Sequence, residues 1–331
     1  MLHSAPTGAT VAAAWTVSPV VIGLLVLASA GYLWMVRLAG RSGSRWPVRR
    51  TASWFAAMLT VVISVDGPVG VFAEALFWVH MVQHLLLIMI APMLLVWAQP
   101  IRLLGVAGGA GVSARMDAAW ANRMVRLIGS PLLGLAVYSG VVVLTHLTGF
   151  QQVSATEPAV RAMELLLYLV AGWMFFVTVA GAERVPWNLP YLLRFVVLAV
   201  GMGADTLTGV VLMLSSHPLA PVYGLAHPGW GPEPLRDQEL AGAIMWFGGD
   251  LLMMLLMILV AVEWGRAGAD RQGLGDWLEG ARRRAVLGDD DGASEQSDDG
   301  GDLDSDQRAL DAYNATLAAM YGKDRGEKHD R

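Results

Sequence analysis

Cysteine is absent from the chain, which excludes disulfides, thiolate metal sites, iron–sulfur clusters and cysteine nucleophiles. Charge is scarce as well. Asp, Glu, Lys and Arg make up 15% of the 331 residues, whereas a soluble domain carries roughly a quarter. Hydrophobic residues fill 55% and the mean hydropathy is +0.49, so the solvent this sequence is written for is lipid. The first 265 residues contain no lysine at all; they hold 13 Arg against 12 Asp or Glu, a net of +1. The remaining 66 hold 10 basic and 16 acidic residues, a net of −6, and so account for the overall −5. The average charge therefore describes two different materials and argues for no nucleic-acid partner. Catalytic signatures are missing too: there is no H-E-x-x-H and no G-x-S-x-G elbow. The glycines at 105, 108, 109 and 111 lack the Lys-Ser/Thr of a phosphate loop and read as a flexible loop. No internal repeat of the inverted-transporter kind is present. No basic residue precedes the first apolar stretch and an Arg cluster follows it, the reverse of a cleavable signal.

Long apolar runs are what the sequence does have. A hydrocarbon core about 30 Å thick takes roughly 20 residues of helix. Residues 19–38, 71–98, 130–147 with their flanks, 159–180, 195–214 and 240–262 meet that length. A seventh run, 51–65, reaches it if the helix begins near Pro47, with Arg49 and Arg50 snorkelling to the interface. The expected architecture is an all-α integral membrane protein. It has an extracytoplasmic N-terminus over 1–18, a seven-helix bundle over 19–264 and an acidic, largely disordered cytoplasmic tail over 265–331. Within that tail, 288–306 is an Asp, Gly and Ser run, and Leu310, Tyr313, Leu317 and Tyr321 mark a short amphipathic helix near 305–322.

Arginine placement sets the orientation. Counted in chain order, sixteen basic residues fall in the connections after the first, third and fifth runs and in the segment beyond the last; two, Arg161 and Arg236, fall on the opposite side. The positive-inside rule then puts the N-terminus outside and the C-terminus in the cytoplasm of a bacterial cell, as a multi-pass inner-membrane protein.

The third run carries the chemistry. His80 and His84 are four residues apart, one imidazole above the other on one helix face, and neutral imidazoles so spaced can share one ion. If Glu74 marks the interface, His80 lies about 9 Å and His84 about 15 Å deeper. His146 ends the fourth run on the same side of the membrane. Ionisable groups inside a membrane are costly and point to function. With no thiol available, soft ligands must be thioethers; imidazole with thioether suits copper, Cu(I) especially. Met81, Met163 and Met245 are the weaker candidates beside the histidines. His217 and His227, each followed by proline, read as loop residues. Asp205 and Asp250 fall near mid-span and are read as interhelical hydrogen-bonding groups with Thr206 and Thr208 as local donors. Two other readings stay open: a haem-bearing electron-transfer protein with His84 and His146 as axial ligands, and an ion or proton transporter using Asp205 and Asp250.

His80, Met81, Val82, Gln83 and His84, followed by Ala91-Pro92 and Gln99-Pro100, resemble the CtaG-type cytochrome c oxidase assembly factor family. Ala171, Gly172 and Trp173 in the fifth run and the stretch from Asp237 to Trp246 entering the seventh extend the resemblance, which covers roughly residues 20–264. The resemblance implies a seven-helix, non-enzymatic protein that matures a haem–copper oxidase through its copper centre, with oxidase subunits or copper chaperones as partners. It also implies a proline where Thr148 stands and a histidine where Leu165 follows Glu164.

Overall fold

Pro19, Pro131, Pro158 and Pro234 each occupy the first turn of a helix. There the missing N–H costs nothing and the fixed φ is already helical. Helices follow one another through almost the whole of the computed structural model, which describes residues 6–181, 183–187, 189–227 and 229–268. No strand occurs among the described residues. The main helices are α1 (Pro19–Arg41), α2 (Val48–Val65), α3 (Phe77–Leu85, continued through Leu86–Ile90 to Ala98), α4 (Pro131–Leu147), α5 (Pro158–Val179), α6 (Tyr191–Leu214) and α7 (Pro234–Ala243, continued through Ile244–Gly248 to Gly268).

The chain divides into two units, Met1–Val260 and Ala261–Arg331. Of the second unit the described residues are those up to 268, the last turns of α7. The expected acidic tail and its amphipathic helix near 305–322 lie outside the described residues.

Six helical stretches among the described residues are long and apolar enough to cross a membrane: Pro19–Arg41, Val48–Phe72, Phe77–Ala121, Pro158–Val179, Tyr191–Leu214 and Pro234–Arg266. The second contains the short apolar run 51–65, and its helix starts at Val48 directly after Pro47. The fourth helix, Pro131–Leu147, has 17 residues and is not among these six; it lies at the short end of the roughly 17–25 residues that can span a bilayer. Ser130 fixes its start by accepting from Leu133 N–H at 3.2 Å. Its end is fixed by an extended Thr148, whose hydroxyl folds back to donate to the Leu144 carbonyl at 2.6 Å.

Two expectations change. The run 71–98 is not one helix: Pro68–Phe72 forms a separate short helix and α3 begins only at Phe77. The break is made by Leu76, which is extended, and by Asp237 from the start of α7. Asp237 accepts from Phe77 N–H at 2.8 Å and Trp78 N–H at 2.9 Å, capping α3 from another helix. The glycine-rich stretch at 105–111 is not a loop. It lies inside the helical segment Pro100–Ala121, broken at Gly109, whose φ of 66° takes it out of the helical region. At the first turn of that segment Glu183 repeats the device, its carboxylate accepting from Ile101 and Arg102 N–H at 3.0 Å each. Burial raises the Glu183 carboxyl above its ordinary value, and those backbone donors offset part of the rise.

Close backbone approach holds the bundle together. Gly172 of α5 packs so tightly on α3 that a Cβ there would sit 1.9 Å from the Ile88 carbonyl oxygen and 2.7 Å from Pro92 Cγ. Ile88 lies in the π turn Leu86–Ile90. Its carbonyl is the one whose regular i+4 donor would be the nitrogen of Pro92, which has no N–H, and a local π turn is how a helix absorbs that defect. Gly209 of α6 and Gly242 of α7 make the second close crossing, each Cβ position lying within 2.7 Å of the other's carbonyl oxygen. Small residues at crossings are how helices associate where apolar contact with lipid offers no competing loss. The outer faces stay apolar: Val20, Leu24 and Leu27 of α1 are each more than 60% exposed, which lipid accommodates and water does not.

Candidate metal centre

Polar residues recur at 161, 164 and 168 along α5, a stripe at helical spacing that faces the bundle interior. Glu164 and Tyr168 are fully buried. Opposite them α3 presents His80 and His84, and α4 presents His146 in its last turn, all three with no exposed surface. The His84 and His146 rings meet edge to face with centroids 4.6 Å apart, and His80 lies 6.2 Å from His146. Tyr168 stands 4.5 Å from His84 and 6.0 Å from His146, closing the cluster. Phe77 and Tyr223 pack on His80 from the end of the bundle bearing the 148–157 and 215–233 connections.

The Nδ1 of His146 lies 2.8 Å from the Val142 carbonyl, an oxygen that can only accept, so this nitrogen carries the proton and Nε2 presents its lone pair. Neither that Nε2 nor either ring nitrogen of His80 and His84 has a hydrogen-bond partner. Five of six imidazole nitrogens are thus buried and unsatisfied. Each such group costs roughly 1–3 kcal/mol unless something else meets it, and buried polar atoms without partners are rare enough in native structures to need an account.

Glu164 is the opposite case. Tyr168 O–H and Gln151 Nε2–H each donate to its Oε1 at 2.6 Å, Ser154 donates to Oε2, and His80 Nε2 lies 3.6 Å from Oε1. The carboxylate is locked in place beside the histidines.

The three histidines picked from sequence therefore converge. The methionines divide: Met81 and Met245 are fully buried in the same core, whereas Met163 is 54% exposed. His217 is exposed in a loop, and His227 points Nδ1 at the Trp230 carbonyl at 2.6 Å. Among the described residues no three His, Asp or Glu side chains form a ready coordination shell. Binding one ion would require the imidazoles to turn toward a common centre. The donor chemistry fits a soft or borderline cation: three imidazoles with free lone pairs and one fixed carboxylate beside them, with two buried thioethers in the same core.

Sequence reasoning missed Glu164, Tyr168, Gln151 and Ser154 as members of this site. The Arg161, Glu164, Tyr168 spacing was the readable signal for the first two. Nothing local marks Gln151 and Ser154, which arrive on the short helix Phe150–Ser154. Farther along the bundle, Thr206 of α6 donates to Asp250 of α7 at 2.8 Å, an interhelical bond of the expected kind. Asp205 accepts from Tyr138 at 2.6 Å, a partner on α4 that the sequence did not suggest. Thr208 corrects the expectation that it acts as a local donor, since its buried hydroxyl has no partner.

Fold and site together define a helical multi-pass membrane protein with an imidazole cluster buried toward one end of its bundle. The sequence profile of the cytochrome c oxidase caa3 assembly factor family, Caa3_CtaG, matches residues 30–267. The chain belongs to that family. It is 26% identical over 327 residues to an uncharacterized protein of Mycobacterium bovis, covering 96% of this chain and 46% of that protein. An uncharacterized protein of Mycobacterium leprae is 24% identical over 260 residues, covering 76% and 40% respectively. The chain thus spans less than half the length of these curated relatives. No solved structure matches it.

Proposed function

We propose that the chain is a non-catalytic accessory protein of a bacterial cell membrane that holds copper for assembly of a haem–copper cytochrome c oxidase. The observation that carries this reading is the set of five unpartnered ring nitrogens on three buried histidines. Membership of an oxidase assembly factor family supplies the context. His80, His84 and His146 are the ligands on this reading, with Met81 and Met245 as thioethers within the same core. Copper is the cargo, passed to or received from oxidase subunits or other copper chaperones. The seven-span arrangement belongs to the same reading: α4 is the seventh crossing, the N-terminus is outside, and the histidines lie toward the outer surface.

A haem would need two imidazoles on opposite faces of a macrocycle. His84 and His146 instead touch edge to face at 4.6 Å, with Tyr168 against both, so the packing favours an ion over a haem. The test pairs two measurements on one strain. His80→Ala or His84→Ala should leave protein abundance nearly unchanged while the purified protein loses its copper and the oxidase matures without its copper centre. Fully metallated oxidase in both variants refutes the copper role, and a haem absorption band in the wild-type protein that His84→Ala and His146→Ala both erase replaces it with electron transfer.

A further inference from the structure

A cavity of about 440 Å³ opens beside the histidine cluster, lined by Glu74, Ala75, Ser154, Ala155, Arg161 and Ala226. Glu74 is 71% exposed at its side chain, so the cavity reaches the surface. Its inner wall shares a residue with the site: Ser154 lines the cavity and donates to Glu164, whose other oxygen lies 3.6 Å from His80 Nε2. Arg161 also lines the cavity; its Nη2 donates to Gln83 at 3.2 Å and its Nε lies 3.9 Å from Glu74. A cation moving from the surface to the imidazoles along this line meets one exposed carboxylate, one guanidinium and one buried carboxylate in succession.

We infer that this cavity is the vestibule through which a soft cation reaches the histidines, with Glu164 as the anionic station between vestibule and His80 and Arg161 as the side chain that must move aside. The inference rests on the copper reading of the histidine cluster. Three donors from three different residues fix Glu164 between Ser154 of the cavity wall and His80, and a fixed anion behind the inner wall lowers the cost of bringing a positive charge off water. Arg161 donates to Gln83 and lies 3.9 Å from Glu74; on this route it swings toward Glu74 to clear the inner mouth.

The absence of native cysteine makes the route testable without disturbing the fold. Purified full-length Ala155→Cys protein in lipid nanodiscs is labelled with a bulky, cleavable thiol reagent and given chelator-buffered Cu(I). The labelled protein should fail to fill over the time in which labelled Met124→Cys fills, Met124 being an exposed position outside the cavity. Cleaving the label and capping the thiol with a small methyl group should restore uptake. Glu164→Gln should slow uptake roughly tenfold, the lower end of what losing a group behind a metal ligand costs, and Arg161→Gln should speed it. If label at position 155 leaves the uptake rate unchanged while His84→Ala abolishes binding, the vestibule is overturned and the histidine site stands. If the unlabelled wild-type protein takes up no Cu(I), the histidine site falls and the vestibule falls with it.

Discussion

His84 and His146 sit on different helices yet bring their rings edge to face at 4.6 Å, while His80, on the same helix face as His84, is 6.2 Å from His146. If the three imidazoles serve one ion, removing any of them removes much of the same binding energy. His84→Ala and His146→Ala should each strip copper from the purified protein, and the double variant should bind no worse than the weaker single one. Isothermal titration with Cu(I) on the four proteins of that cycle reads the result. Additive losses would show that the two imidazoles act on separate ions.

The crossing of α5 over the π turn of α3 should tolerate no side chain. Gly172→Leu forces atoms into the Ile88 carbonyl and Pro92, and overpacking of this kind costs about 1–3 kcal/mol even where neighbours can shift. Here the nearest atoms are backbone, so the cost should reach or exceed the upper end. Thermal unfolding in detergent should show a clear drop in Tm for Gly172→Leu and little change for Gly203→Ala, whose added Cβ meets nothing.

The membrane character was legible because lipid imposes length and apolarity on every span, and both are local properties. The histidine pair was legible for the same reason: 80 and 84 share a face by helical arithmetic alone. The convergence of His146 depends on which face of α4 meets α3 and α5, and sequence supplied only its depth. Where the reading failed, the cause was a partner far away in the chain. The start of α3 is set by Asp237, 160 residues from Phe77; Asp205 makes the interhelical bond expected of it, but its donor is Tyr138, 67 residues away, and not a local threonine. The helix across the glycines at 105–111 was hidden because three of those glycines keep helical dihedrals and only Gly109 departs.

Asp237 should matter to copper without touching it. Its two oxygens meet the first N–H groups of α3, and loss of a capping side chain typically costs about 1 kcal/mol. Asp237→Ala should therefore lower Tm modestly and weaken copper binding, because His80 lies within the first turn it caps. Asp237→Asn, which keeps an acceptor, should recover much of both. Equal copper affinity in Asp237→Ala and wild type would separate the cap from the site.

Topology is the prediction on which the outer placement of the histidines depends. Every connection assigned to the cytoplasm is rich in arginine, sixteen basic residues against two on the other side, and that asymmetry orients membrane helices. Reporters fused after residues 68, 152 and 225 should be active outside, and those after 110, 186 and 290 in the cytoplasm. The pair at 110 and 152 isolates the 17-residue α4. At 1.5 Å per residue it covers about 26 Å, enough to cross where the bilayer thins slightly or its capped ends reach the headgroups. If the fusions at 110 and 152 report from the same side, α4 does not cross, six spans remain, and His146 approaches the cluster on a helix that dips into the membrane without traversing it.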